Sequence, residues 1–129
     1  MAQVITPPDV AAPFSRYAHG ILTESGCRWL HVSGQVGILP DGTMAMSGKA
    51  QLEQAFSNVF AVLRAAGMDK QHLVKLTVLL TRADEVGSYR TVRDRLLDGH
   101  IVASTLMVVA GLASPDFLVE IEAVAAAPG

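Results

Sequence analysis

Val119-Glu120-Ile121-Glu122-Ala123-Val124-Ala125 sets two carboxylates inside an apolar run near the end of the chain. At a period of two, Glu120 and Glu122 point to one face, while Val119, Ile121, Ala123 and Ala125 point to the other. A strand with one wholly apolar face must bury it. The opposite face then shows two like charges either to water or to a site that uses them. Which of these holds decides whether the chain is an enzyme.

Upstream, Pro7, Pro8 and Pro13 keep the first residues extended or turned. Two strands are predicted at 19–22 and 28–38, separated by Glu24-Ser25-Gly26. On the second, Leu30, Val32 and Val36 share one face and Trp29, His31, Ser33 and Gln35 the other. Leu39-Pro40-Asp41-Gly42 is a turn. Leu52, Ala55, Phe56, Val59, Phe60, Leu63 and Ala66 then follow the i, i+3, i+4, i+7 rhythm of a helix, with Ser47 placed to cap it and Gly67 to end it. After the short connection Asp69–His72, residues 74–81 alternate as a half-buried strand. A second helix is expected from about Asp84 to Gly99, with Tyr89, Val92, Leu96 and Leu97 on its inner side and only the stem of Arg93 at the edge. Strands at 103–112 and 117–126, joined by Ala113-Ser114-Pro115-Asp116, complete the order ββαβαββ. One α+β domain over 1–129, with helices on one sheet face, is the natural solution.

The composition narrows the partners. Half of the 129 residues are hydrophobic and only 5% aromatic, more apolar surface than a small domain hides easily, so contacts between subunits are expected. Ten basic residues against twelve acidic give a net charge of -2, without a basic run or stripe. Nucleic acid is therefore not the expected partner. A lone cysteine, Cys27, rules out an internal disulfide framework and suits a reducing compartment. Met1–Pro8 lacks the charged and apolar regions of a signal peptide, and the longest apolar runs fall short of the roughly 18–20 residues that cross a bilayer. A cytoplasmic protein without membrane association is the expectation.

Five segments, in this order and spacing, resemble the Rid family of reactive-intermediate deaminases, also called the YjgF or RidA family. They are Tyr17 with Gly20, Val32-Ser33-Gly34-Gln35, Ala65-Ala66-Gly67, Val74-Lys75-Leu76-Thr77-Val78, and Val119-Glu120-Ile121-Glu122-Ala123. The resemblance implies a chorismate-mutase-like fold with a mixed sheet, and a homotrimer with its sheets turned inward and ligand clefts between subunits. It also implies hydrolysis of small imines and enamines, such as 2-aminoacrylate, to the ketoacid and ammonia, with no metal or organic cofactor.

Carried over residue by residue, the family's water-handling glutamate matches Glu120, its cleft tyrosine Tyr17, and its cleft-lining Ser-Gly pair Ser33 and Gly34. Arg90 replaces an asparagine on the second helix. The main departure lies at the penultimate strand. Family deaminases there carry an arginine, in a Pro-Ala-Arg-Ser type of segment, that binds the substrate carboxylate. This chain reads Val102-Ala103-Ser104-Thr105, so Ser104 takes the arginine's place. A hydroxyl supplies neither the charge nor the two parallel N–H bonds of a guanidinium. Arg90 would make up the loss if it leans into the cleft; otherwise it is a solvated helix residue paired with Asp94.

Two functions from different classes are open to such a chain. One is a trimeric hydrolase working through Glu120, and the other a trimer that binds a small metabolite without turning it over. Glu122 is read as a partner for a neighbouring Arg or Lys. His19, His31, His72 and His100 are dispersed without metal-ligand spacing, and Cys27 lacks the basic surroundings of a reactive thiolate.

Overall fold

A computed structural model describes residues 2–129. Six strands and two helices run β1 (Gln3–Ile5), β2 (Gly20–Leu22), β3 (Arg28–Gln35), α1 (Gly48–Ala65), β4 (Leu73–Leu80), α2 (Val86–Leu97), β5 (Ala103–Val108) and β6 (Val119–Ala127). The principal sheet has the order β3-β6-β4-β5. It is antiparallel except for the β4–β5 pair, whose parallel connection is made by α2. The predicted α+β architecture and mixed sheet are therefore present. One strand was not expected: β1 pairs antiparallel with β2 in a separate two-stranded sheet.

The stripe read from α1 is the one it buries, with Leu52, Ala55, Phe56, Val59 and Leu63 inside. Ser47 caps the helix, its hydroxyl accepting from the Ala50 N–H at 3.1 Å, and Gly67 lies just past its end at φ 72°. Leu76, Val78 and Leu80 of β4 and Ile121, Ala123 and Ala125 of β6 meet this stripe, with Tyr89, Val92 and Leu97 of α2 closing the same core. The connection at 69–72 folds as a turn of 3-10 helix at Lys70–His72, capped by Asp69.

Two expectations need correction. The fifth strand ends at Val108, because the Val109 N–H makes the last bond, to the Leu80 carbonyl at 2.8 Å, before the chain leaves the sheet. The alternation in β3 also breaks. Val32 pairs with Ala123 and Gln35 with Ile121, so Ser33 and Gly34 together oppose Glu122 alone. This bulge inserts one residue and reverses the faces beyond it. Gln35 consequently stands on the side of Ile121, not with Trp29 and His31 as its spacing suggested.

Gln51, at the start of α1, is 3% exposed. Its amide nitrogen donates to the carbonyls of Ala45 (3.2 Å) and Asp116 (3.0 Å), and its oxygen accepts from the Leu118 N–H (2.9 Å). One side chain thus ties the loops before α1 and before β6 together. Gly37 packs against it so closely that a Cβ there would lie 2.6 Å from the Gln51 Cβ.

Candidate functional site

The sequence candidates fall into two groups, separated by the pleat. Ser104 pairs with Leu76, which pairs with Ala123, so Ser104 stands on the helix-covered side of the sheet. Glu120 pairs with Leu79, and Leu79 with Met107, which places Glu120 on the opposite side.

On that open side, β6 holds Glu120 half-buried while Glu122 is exposed. What shelters Glu120 is the bulge. It brings Gly34 so close that a Cβ on Gly34 would stand 2.6 Å from Glu120 Cδ and 2.8 Å from Cγ. The carboxylate therefore occupies the space that any side chain at position 34 would take. Ser33, beside it, is exposed, and its carbonyl accepts from the Gln35 amide at 3.1 Å. Glu122 makes no ion pair among the described residues, contrary to expectation. Lys75, which shares a shallow hollow with His31, Thr77 and Glu122, donates instead to Thr105 Oγ1 at 3.1 Å.

The second group lines a cavity of about 230 Å³ formed by Phe14, Ser15, Tyr17, Tyr89, Arg90, Arg93, Ser104 and Leu106. Backbone pairing builds it. Ala18 forms a parallel bridge with Ala103, its N–H donating to the Val102 carbonyl at 2.8 Å. Tyr17 and Ser104 are the immediate neighbours of that bridge, and α2 supplies Tyr89, Arg90 and Arg93 from the other wall. Tyr17 is braced edge-on by His19, with ring centroids 6.0 Å apart.

Arg90 does border the cavity, and it is exposed. Asp94, its expected partner, is taken by Arg93, whose Nε donates to Asp94 Oδ1 at 2.9 Å. Arg93 departs furthest from expectation. The whole side chain is inside, 3% exposed, with its guanidinium carbon 5.5 Å from the centre of the Tyr89 ring. Sequence reasoning missed it because a charged residue on a buried stripe reads as an edge position. The available signals were Tyr89 one turn earlier and the adjacent acid.

Burial pushes the Tyr89 hydroxyl above the ordinary tyrosine range, partly opposed by the nearby Arg93 charge and by the approach of Ser104. A phenol held protonated in the native state stabilises that state fully below the ordinary tyrosine value of about 10, and less as the pH rises beyond it. Wild-type protein is therefore expected to lose stability above about pH 10 through this group, and Tyr89→Phe to lose less over the same interval. Urea denaturation of both proteins between pH 8 and 11 measures this.

Three of the four histidines serve the backbone. His19 and His100 bond the carbonyls of Ala11 (2.6 Å) and Leu73 (2.7 Å), and His72 Nδ1 accepts from the Asp69 N–H. Among the described residues no three His, Cys, Asp or Glu side chains gather as a metal site, and no helix is long and apolar enough to cross a membrane.

Two helices over one face of a mixed β3-β6-β4-β5 sheet are the architecture of a Rid-type fold. Residues 6–127 match the family described as Endoribonuclease L-PSP, and the chain belongs to it. It is 32% identical to the rat 2-iminobutanoate/2-iminopropanoate deaminase over 125 residues, covering 95% of this chain and 88% of that protein. Its fold superposes on the Rid-family protein YyfB of Yersinia pestis with a TM-score of 0.86 at 27% identity, over 96% of this chain and 97% of that one. Escherichia coli TdcF, solved with bound serine, superposes with a TM-score of 0.72 at 25% identity, over 95% and 97% of the two chains.

Proposed function

We propose that the protein hydrolyses small imines, and enamines through their imine tautomers, as a homotrimer whose clefts lie between subunits. The observation that carries this reading is the packing of Glu120 against the bare Cα of Gly34, since a sheet carboxylate with a glycine reserved for it is sheltered for a purpose. Glu120 takes a proton from water as its oxygen attacks the imine carbon. Glu120 hands that proton to the nitrogen to complete the carbinolamine, then takes the carbinolamine's hydroxyl proton and passes it to the amine as the C–N bond breaks, so that ammonia leaves behind a ketone or ketoacid. A positioned carboxylate in this role is worth about 10²–10⁴ in rate. The iminobutanoate deaminases among the relatives point to the same chemistry.

The trimer explains the separation of the two groups. Glu120 and Ser104 stand on opposite sides of one sheet, so a ligand against Tyr17 and Ser104 of one subunit takes its glutamate from a neighbour. The open face has the apolar character an interface needs, with Trp29 and Met107 about half exposed. Nuclease action, which the family's description suggests, finds no support in a chain of net charge -2 without a basic stripe.

The test generates 2-aminoacrylate and 2-iminobutanoate in situ and tracks ketoacid release. Wild type is expected to accelerate release, Glu120→Gln to lose about 10²-fold or more, and light scattering to give three times the mass of the chain. Equal rates for wild type and Glu120→Gln overturn the catalytic reading. Saturable ligand binding without turnover favours the metabolite-binding trimer.

A further inference from the structure

We propose that Phe14 selects the substrate: its ring packs against an apolar group carried by the imine, so that branched aliphatic and aromatic imines react ahead of 2-aminoacrylate. This substrate class rests on the imine-hydrolase reading of the same site. Phe14 borders the cavity beside Ser104, yet it is 86% exposed. Trp29, the next most open of the Phe, Trp and Tyr residues, is 50% exposed. A phenyl ring left in water forgoes the burial that ordinarily places this residue inside. The backbone around it, by contrast, is held. His19 bonds the Ala11 carbonyl at 2.6 Å, the Tyr17 N–H donates to the Ser15 carbonyl at 3.0 Å, and the Phe14 N–H approaches the Tyr17 hydroxyl at 3.4 Å. The loop is tied down and the ring is not.

The space beside the ring suits an apolar group. Leu106 and Tyr17, both partly buried, share the lining with Phe14. Arg93 and Tyr89 add little polarity, being 3% and 1% exposed, and neither Arg93 Nη2 nor the Tyr89 hydroxyl has surface to offer a ligand. Ser15, Ser104 and the exposed Arg90 make up the polar remainder of the wall, left to the ligand's polar end. A closed cavity of about 150 Å³ lined by aliphatic and aromatic side chains takes benzene. This one, at about 230 Å³, has room for a phenyl or isobutyl group. 2-Aminoacrylate carries only a methylene and would leave the Phe14 ring uncovered. A single methylene in an apolar pocket is worth about tenfold or more, so several carbons against Phe14 and Leu106 decide between substrates.

An amino-acid oxidase that generates the imines of alanine, leucine and phenylalanine in situ, with ketoacid release followed for each, tests the assignment. The leucine and phenylalanine imines are expected to show a kcat/KM about tenfold or more above that of the alanine imine. Phe14→Ala should bring this ratio to within about threefold, and Phe14→Leu, which restores aliphatic bulk, should recover part of it. Both variants should fold, because the ring they remove lies outside the core. Calorimetric titration of the intact protein reads the same site without turnover. Phenylpyruvate should bind about tenfold or more tightly than pyruvate, with the gap narrowing in Phe14→Ala. Equal kcat/KM for the three imines, or a ratio that survives Phe14→Ala, overturns the role of Phe14. So does a variant whose only defect is a lower mass in light scattering, which would make the ring an interface residue. No turnover of any imine, beside phenyl-selective binding lost in Phe14→Ala, sinks the hydrolase and leaves the apolar site standing.

Discussion

Gly34→Ala is expected to abolish imine hydrolysis while leaving the protein folded and close to wild-type stability. The added methyl would sit 2.6 Å from Glu120 Cδ and 2.8 Å from Cγ, both in the outer part of a flexible side chain. Rotating that side chain away relieves the overlap at little cost to the sheet, since a rotamer change costs far less than a backbone shift. The carboxylate, however, is then no longer where water and substrate meet, and an ångström of misplacement in a reacting group costs about 10²-fold. The predicted signature is a kcat reduced about 10²-fold or more beside a Tm within a few degrees of wild type. Ketoacid release and thermal melts on the same preparation give both readings. A variant that retains its rate, or one that loses rate and stability together, contradicts this account.

Gln51→Leu should have the largest effect on stability, for the opposite reason. The substitution keeps the bulk but removes an amide that satisfies three backbone groups at once, the carbonyls of Ala45 and Asp116 and the Leu118 N–H. Groups left unpaired away from water cost about 1–3 kcal/mol each. Some will recover a water molecule, so a net loss of about 3 kcal/mol is expected, corresponding to a Tm lower by about 10 °C. Guanidinium unfolding measures it, and an unchanged midpoint would show that the two loops are held by other means. Activity per folded molecule should change less, because Gln51 touches neither group of site residues.

Much of the fold was legible because it depends on local periodicity. The α1 stripe, the Ser47 cap and Gly67 all lie within one segment, and a pattern set by the helical turn is complete without distant partners. The features that sequence reading missed each depend on a pairing between remote segments. β1 is three exposed residues, Gln3–Ile5, that become a strand only opposite Gly20–Leu22. The bulge in β3 exists only relative to β6, so uninterrupted alternation was the natural reading and put Gln35 on the wrong side.

The candidate site divides in the same way. That Glu120 points away from the apolar face was visible from spacing, and Gly34 from family resemblance. Their contact joins positions at opposite ends of the chain, which no motif encodes. Arg93 shows the same limit. Its place on the inner stripe of α2 was plain, but only the assembled walls of Tyr89, Ser15 and Asp94 make it a buried cation with donors to spare.

The extra residue in β3 puts the two halves of that strand out of step. Deleting either Ser33 or Gly34 would leave one residue opposite Glu122, so Val32 would still meet Ala123, Gln35 would still meet Ile121, and no side chain of β3 would turn over. What would vanish is the kink that presses position 34 against the carboxylate of Glu120. The surplus residue is thus dispensable to the sheet as a layer and matters only to the one acid it shelters.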